Sequence, residues 1–92
     1  MRAAKIDRNQ PEIVQALRNV GASVQSLSSV GKGVPDLLVG FRGVNFLLEI
    51  KDGTKPPSQK SRTVHQVDWH VAWRGSVRVV ESPAEALAAI GL

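Results

Sequence analysis

The sequence predicts an α/β fold in a single small domain spanning residues 1–92, with the order helix, strand, strand, strand, helix, strand, helix. Three observations carry this. Ile13, Val14, Leu17 and Val20 recur at helical spacing between a cap signature and Gly21. Two apolar runs that alternate with period two flank Arg42-Gly43. A short β-branched run, Val77-Arg78-Val79-Val80, is followed at once by the cap signature Ser82-Pro83-Ala84-Glu85.

The elements follow in order. Asn9-Gln10-Pro11-Glu12 opens the first helix: Asn9 is a good N-cap, Pro11 suits the first turn, and Glu12 stands three residues after the cap, placed to complete a capping box. Ala22 to Ser28, with Val24 and Leu27, reads as a first strand near an edge of the sheet. Gly31-Lys32-Gly33 makes a basic turn that lacks the spacing of a P-loop; it reads as a plain turn, with Lys32 in reach of a phosphate backbone.

The next two strands hold the charge that calls for explanation. In Asp36 to Phe41, alternation puts Leu37, Val39 and Phe41 on one side and Asp36, Leu38 and Gly40 on the other. In the second run Phe46, Leu48 and Ile50 share one face, and Leu47, Glu49 and Lys51 the other. A hairpin about Arg42-Gly43 that joins the two more apolar faces also sets Asp36 beside Glu49 on the opposite surface. Facing carboxylates repel unless a positive charge sits between them. A divalent cation held by Asp36, Glu49 and the main-chain carbonyl of Ile50 would relieve this, with Lys51 on the same side to hold water or stabilise charge on phosphate. A solvated strand edge is the competing reading of the same charges.

Asp52 to Arg62 is a polar loop with Lys55, Lys60 and Arg62, charge that suits a phosphate backbone or simply solvent. Thr63-Val64-His65-Gln66 carries another cap signature, after which Val64, Val67 and Val71 are spaced for the core with Trp69 and Trp73 flanking as core or dimer-interface residues. His65 and His70 lie five apart and read as structural rather than catalytic. Ala86, Leu87 and Ile90 give the last helix its packing face.

Composition narrows the function. A net charge of +4 favours an anionic partner, nucleic acid first. With no cysteine there is no disulfide, thiolate metal site or cysteine nucleophile, and 4% aromatic content argues against a base-stacking platform. No apolar run could span a bilayer and the N-terminus lacks the core of a secretory signal, so a soluble cytoplasmic protein is expected.

Pro35-Asp36 followed by Glu49-Ile50-Lys51 resembles the PD-(D/E)XK signature, and GKGVPDLLVG with LLEIK resembles the VRR-NUC branch of that nuclease superfamily over nearly the whole chain, above all its small stand-alone phage-type members. The resemblance implies a restriction-endonuclease-like core, a mixed β-sheet flanked by helices. It further implies a Mg2+- or Mn2+-dependent endonuclease with catalytic Asp36, Glu49, Lys51 and Gln66, Glu12 joining Asp36, Glu49 and the Ile50 carbonyl at the metal, and Lys32, Lys55, Lys60 and Arg62 on DNA. The family's Leu-Thr-Pro-x-Gln segment stands here as Arg62-Thr63-Val64-His65-Gln66, so Thr63 and Gln66 match while Arg62 and Val64 depart; Gln66 also fits a capping box. The implied substrate is branched DNA, the four-way (Holliday) junction, cut by a homodimer. A less selective flap, nick or duplex nuclease and a non-catalytic basic DNA-binding module are the alternatives.

Overall fold

The computed structural model describes residues 8–54 and 64–92. Helix α1 (Gln10–Asn19) precedes strands β1 (Ser23–Ser26), β2 (Leu37–Phe41) and β3 (Val44–Ile50), followed by helix α2 (Val64–Ala72), strand β4 (Arg78–Val80) and helix α3 (Pro83–Ala89). Lys55, Lys60, Arg62 and Thr63 lie outside the described residues.

The four strands form one mixed sheet in the order β1-β2-β3-β4. β1 and β2 are antiparallel, β2 and β3 form the hairpin, and β4 lies parallel to β3. The hairpin turns on Arg42 and Gly43, with φ of 52° and 79°. Positive φ at both central residues matches the right-handed twist of the flanking strands, and it sets the register Leu37↔Leu48, Val39↔Phe46, Phe41↔Val44. Carried one step on, that register puts Asp36 opposite Glu49.

Leu37, Val39, Leu48 and Ile50 are all fully buried, and Ile13 and Leu17 of α1, Ala22, Val80 of β4, Ala86 of α3 and Ile90 at its C-cap complete the core around them. Helices α1 and α3 therefore cover one face of the sheet. Both end in the same way: Ala22 N bonds Leu17 O and Gly21 N bonds Arg18 O, while Leu92 N bonds Leu87 O and Gly91 N bonds Ala88 O. Gly21 and Gly91 take φ of +92° and +101°, the left-handed conformation this closure needs.

Four sequence expectations are corrected. Asn9 stands at the N-cap of α1 but makes no side-chain cap bond, so the capping box with Glu12 does not form and Glu12 is exposed. The Val64, Val67 and Val71 stripe of α2 does not enter the core. These side chains are 74%, 45% and 79% exposed, and α2 has no buried residue among those described. Helical spacing identifies an apolar face but not what covers it; the sheet face that α2 meets is the polar one. The strand expected from Val77 begins at Arg78, and the one expected over Ala22 to Ser28 is confined to Ser23–Ser26.

Candidate active site

The polar face of the sheet, beneath α2, collects Asp36, Glu49 and Lys51. The register places Pro35 opposite Ile50, whose amide donates to Asp36 Oδ2 at 2.7 Å; Pro35, having no N–H, can give the Ile50 carbonyl no ladder bond in return. The carboxylate of Asp36 is thereby held at the end of β2, against Glu49. In a strand the N–H and C=O of one residue point to the same side. The Ile50 carbonyl therefore faces the side on which Asp36 lies.

Glu49 is 1% exposed, an unusual burial for a carboxyl group. Burial, and then the charge of Asp36, push its pKa up to about 7, against the opposing pull of Lys51. Its Oε2 accepts from Gln66 Nε2 at 2.8 Å and lies 3.6 Å from Lys51 Nζ. Lys51 Nζ in turn donates to Gln66 Oε1 at 3.2 Å. The three side chains form a closed ring. Glu49 Oε1 is buried and accepts no hydrogen bond; His70 Nε2 lies 4.0 Å from it.

Both ends of the Gln66 side-chain amide thus reach Glu49 and Lys51, while Thr63, the other half of the expected capping box, lies outside the described residues. Gly33 fixes the approach of α2, since a Cβ there would collide with the His65 carbonyl group and the Gln66 backbone nitrogen. The Gly31-Lys32-Gly33 turn runs through positive φ at all three residues and leaves Lys32 exposed. Five residues from His65, off its helix face and with no nucleophile to pair with, His70 reads from sequence as structural. The informative spacing was to Gln66: four residues apart on one helix face, the two side chains descend together onto Glu49. Glu12 does not join a ready cage. Among the described residues no three acidic or histidine side chains converge closely enough to hold a metal ion.

A solved structure described as a VRR_NUC domain is 33% identical to the chain, superposes with a TM-score of 0.65, and is matched over 96% of either chain. The chain belongs to the VRR-NUC family. No family model matches the sequence, and no curated protein matches it significantly. The mixed sheet flanked by helices is accordingly the restriction-endonuclease-like fold of a VRR-NUC domain, a nuclease domain. In this VRR-NUC chain the Pro-Asp and Glu-x-Lys elements are brought together by one hairpin register. Among the described residues no helix is long and apolar enough to cross a membrane.

Proposed function

We propose that the protein is a metal-dependent endodeoxyribonuclease of the PD-(D/E)XK type, acting on branched DNA. The observation that carries this is the contact of two carboxyl groups, Asp36 and Glu49, with the buried one held neutral up to about pH 7 beside a lysine. A buried carboxyl oxygen without a hydrogen bond, next to a second carboxylate, fits a divalent cation, whose charge would replace the missing donor.

Asp36, Glu49 and the Ile50 carbonyl would hold Mg2+ or Mn2+, with Glu12 as the outermost candidate. When bound, the ion lowers the pKa of water and neutralises charge on the scissile phosphate. The chain's own groups do the rest. Gln66 fixes the Glu49 carboxylate and the Lys51 ammonium relative to one another, so that Lys51 orients water for in-line attack on phosphorus and stabilises the charge that develops. No covalent enzyme intermediate is required. Lys32, Lys55, Lys60 and Arg62 bind phosphates along the DNA, which makes affinity fall with added salt.

The preferred substrate in this reading is the four-way junction, and the active form a homodimer, since symmetric incision of a two-fold substrate needs two sites and one copy of the chain carries one. The uncovered valines of α2, extended by Trp73 stacked on Trp69 at 4.7 Å, support a second copy as the partner. Incubation with junction, flap, nicked and linear duplexes, in magnesium, in manganese and with chelator, tests the proposal. Junction incision that needs metal and vanishes in Glu49→Ala is expected. Metal-independent cutting, or cutting by Glu49→Ala, would overturn it. Tight, salt-sensitive binding without incision would leave only a DNA-binding module.

A further inference from the structure

The parallel ladder between β3 and β4 ends at the bond from Lys51 N to Val80 O, 3.0 Å. Continued, it would give the Lys51 carbonyl a donor in the amide of Ser82. The chain turns away there: Ser82 is the N-cap of α3, its side chain accepting from Glu85 N. The Lys51 carbonyl is served from another element. Asn9 Nδ2 donates to Lys51 O at 3.0 Å and to Glu81 O at 2.9 Å, so one amide group closes both strands where their own ladder stops.

This role excludes the ordinary one. An N-cap asparagine that bonds its own helix contributes about 1 kcal/mol. Asn9 makes no such bond, and its Oδ1 is buried without a hydrogen-bond partner. The orientation that leaves an acceptor unsatisfied is the one that delivers two N–H groups to two carbonyls. Serine has one donor, aspartate none, and glutamine is a methylene longer. The support is stiff, because Asn9 O accepts from Ile13 N at 3.2 Å and Ile13 is fully buried in the core.

We propose that Asn9 is a positioning residue of the active site: by holding the Lys51 carbonyl, it fixes the backbone from which Lys51 reaches Gln66 and Glu49. The proposal rests on the nuclease reading for its kinetic consequence only. With the Lys51 amide bonded to Val80 on one side and its carbonyl held by Asn9 on the other, both peptide units of the lysine are immobilised. Released, the carbonyl end can rotate with the turn that begins at Asp52, and the ammonium moves with it.

The test uses Asn9→Asp, which keeps the shape and removes both donors, and Asn9→Ser as a milder second variant. Single-turnover cleavage at saturating metal and DNA, well below the melting temperature, should slow about 10- to 100-fold in Asn9→Asp and less in Asn9→Ser. DNA affinity should stay within about twofold, because Asn9 touches no phosphate in this reading. Cleavage within twofold of the parent, or a loss matched by the unfolded fraction, would overturn the proposal. An activity-independent arm follows the Asn9 side-chain amide protons and the Lys51 backbone resonances by NMR. Slow exchange of both protons, and a Lys51 shift in Asn9→Asp, are expected; exchange as fast as an exposed amide would overturn the proposal. An inactive parent protein with protected Asn9 protons counts against the nuclease reading alone.

Discussion

Gln66 and Glu49 are joined by a 2.8 Å hydrogen bond from Nε2 to Oε2, while the other end of the same amide accepts from Lys51. A neutral side chain thus sits between an acid and a base and orients both. Gln66→Ala is expected to lower the cleavage rate about 10- to 100-fold with little loss of stability, since α2 contributes no buried residue. In chelator Gln66→Glu should melt at a lower temperature than Gln66→Ala, because a third carboxyl group then faces Glu49. Paired kinetic and thermal-melting measurements check both.

Glu49 makes the metal-free fold sensitive to pH. Its pKa rises from an ordinary 4.5 to about 7 on folding. Below the lower value both states hold the proton and there is no penalty. Between the two the unfolded chain ionises while the folded protein stays protonated, so stability falls as pH rises, and above about 7 the full penalty of about 3 kcal/mol stands. The melting temperature in chelator should therefore be higher at pH 5 than at pH 8, by roughly 10 °C or more. Glu49→Gln should flatten that difference and abolish cleavage.

Metal binding should reverse the penalty and release protons. At pH 7 Glu49 is near half protonation, so binding should expel about half a proton from it, and more at pH 6. Calorimetric titration with Mg2+ or Mn2+ in buffers of different ionisation enthalpy measures this. Asp36→Asn should weaken binding and bring the Glu49 pKa down towards its ordinary value, since a neighbouring charge is removed.

The exposed valines of α2 separate association from folding. Val71 is 79% exposed and Val39 fully buried. Val71→Glu should leave the monomer fold intact, within about 0.5 kcal/mol, while shifting sedimentation from dimer to monomer and reducing paired incision of junctions. Val39→Glu buries an unpaired charge and should prevent folding. A Val71→Glu protein that sediments as the parent does would place the dimer contact elsewhere or remove it.

Element order, the Arg42-Gly43 hairpin and the face that Asp36 and Glu49 share are all legible in local pattern. These are local consequences: a period of two fixes which side chains share a face, and a two-residue turn fixes the register that pairs them. The Gly21 helix stop and the Ser82 cap were legible for the same reason. What covers each face was decided only by the tertiary structure. The valines of α2 and the core residues of α1 show similar helical spacing, yet one helix lies on the apolar side of the sheet and the other over the polar side. Asn9 and Gln66 both look like helix caps, because local sequence offers a capping side chain only its own backbone as partner. Their actual partners, Lys51 and Glu81 for Asn9 and Glu49 and Lys51 for Gln66, are distant in the chain and become available only when the sheet brings them alongside. His70 follows the same rule, since its place over Glu49 depends on where α2 crosses the sheet.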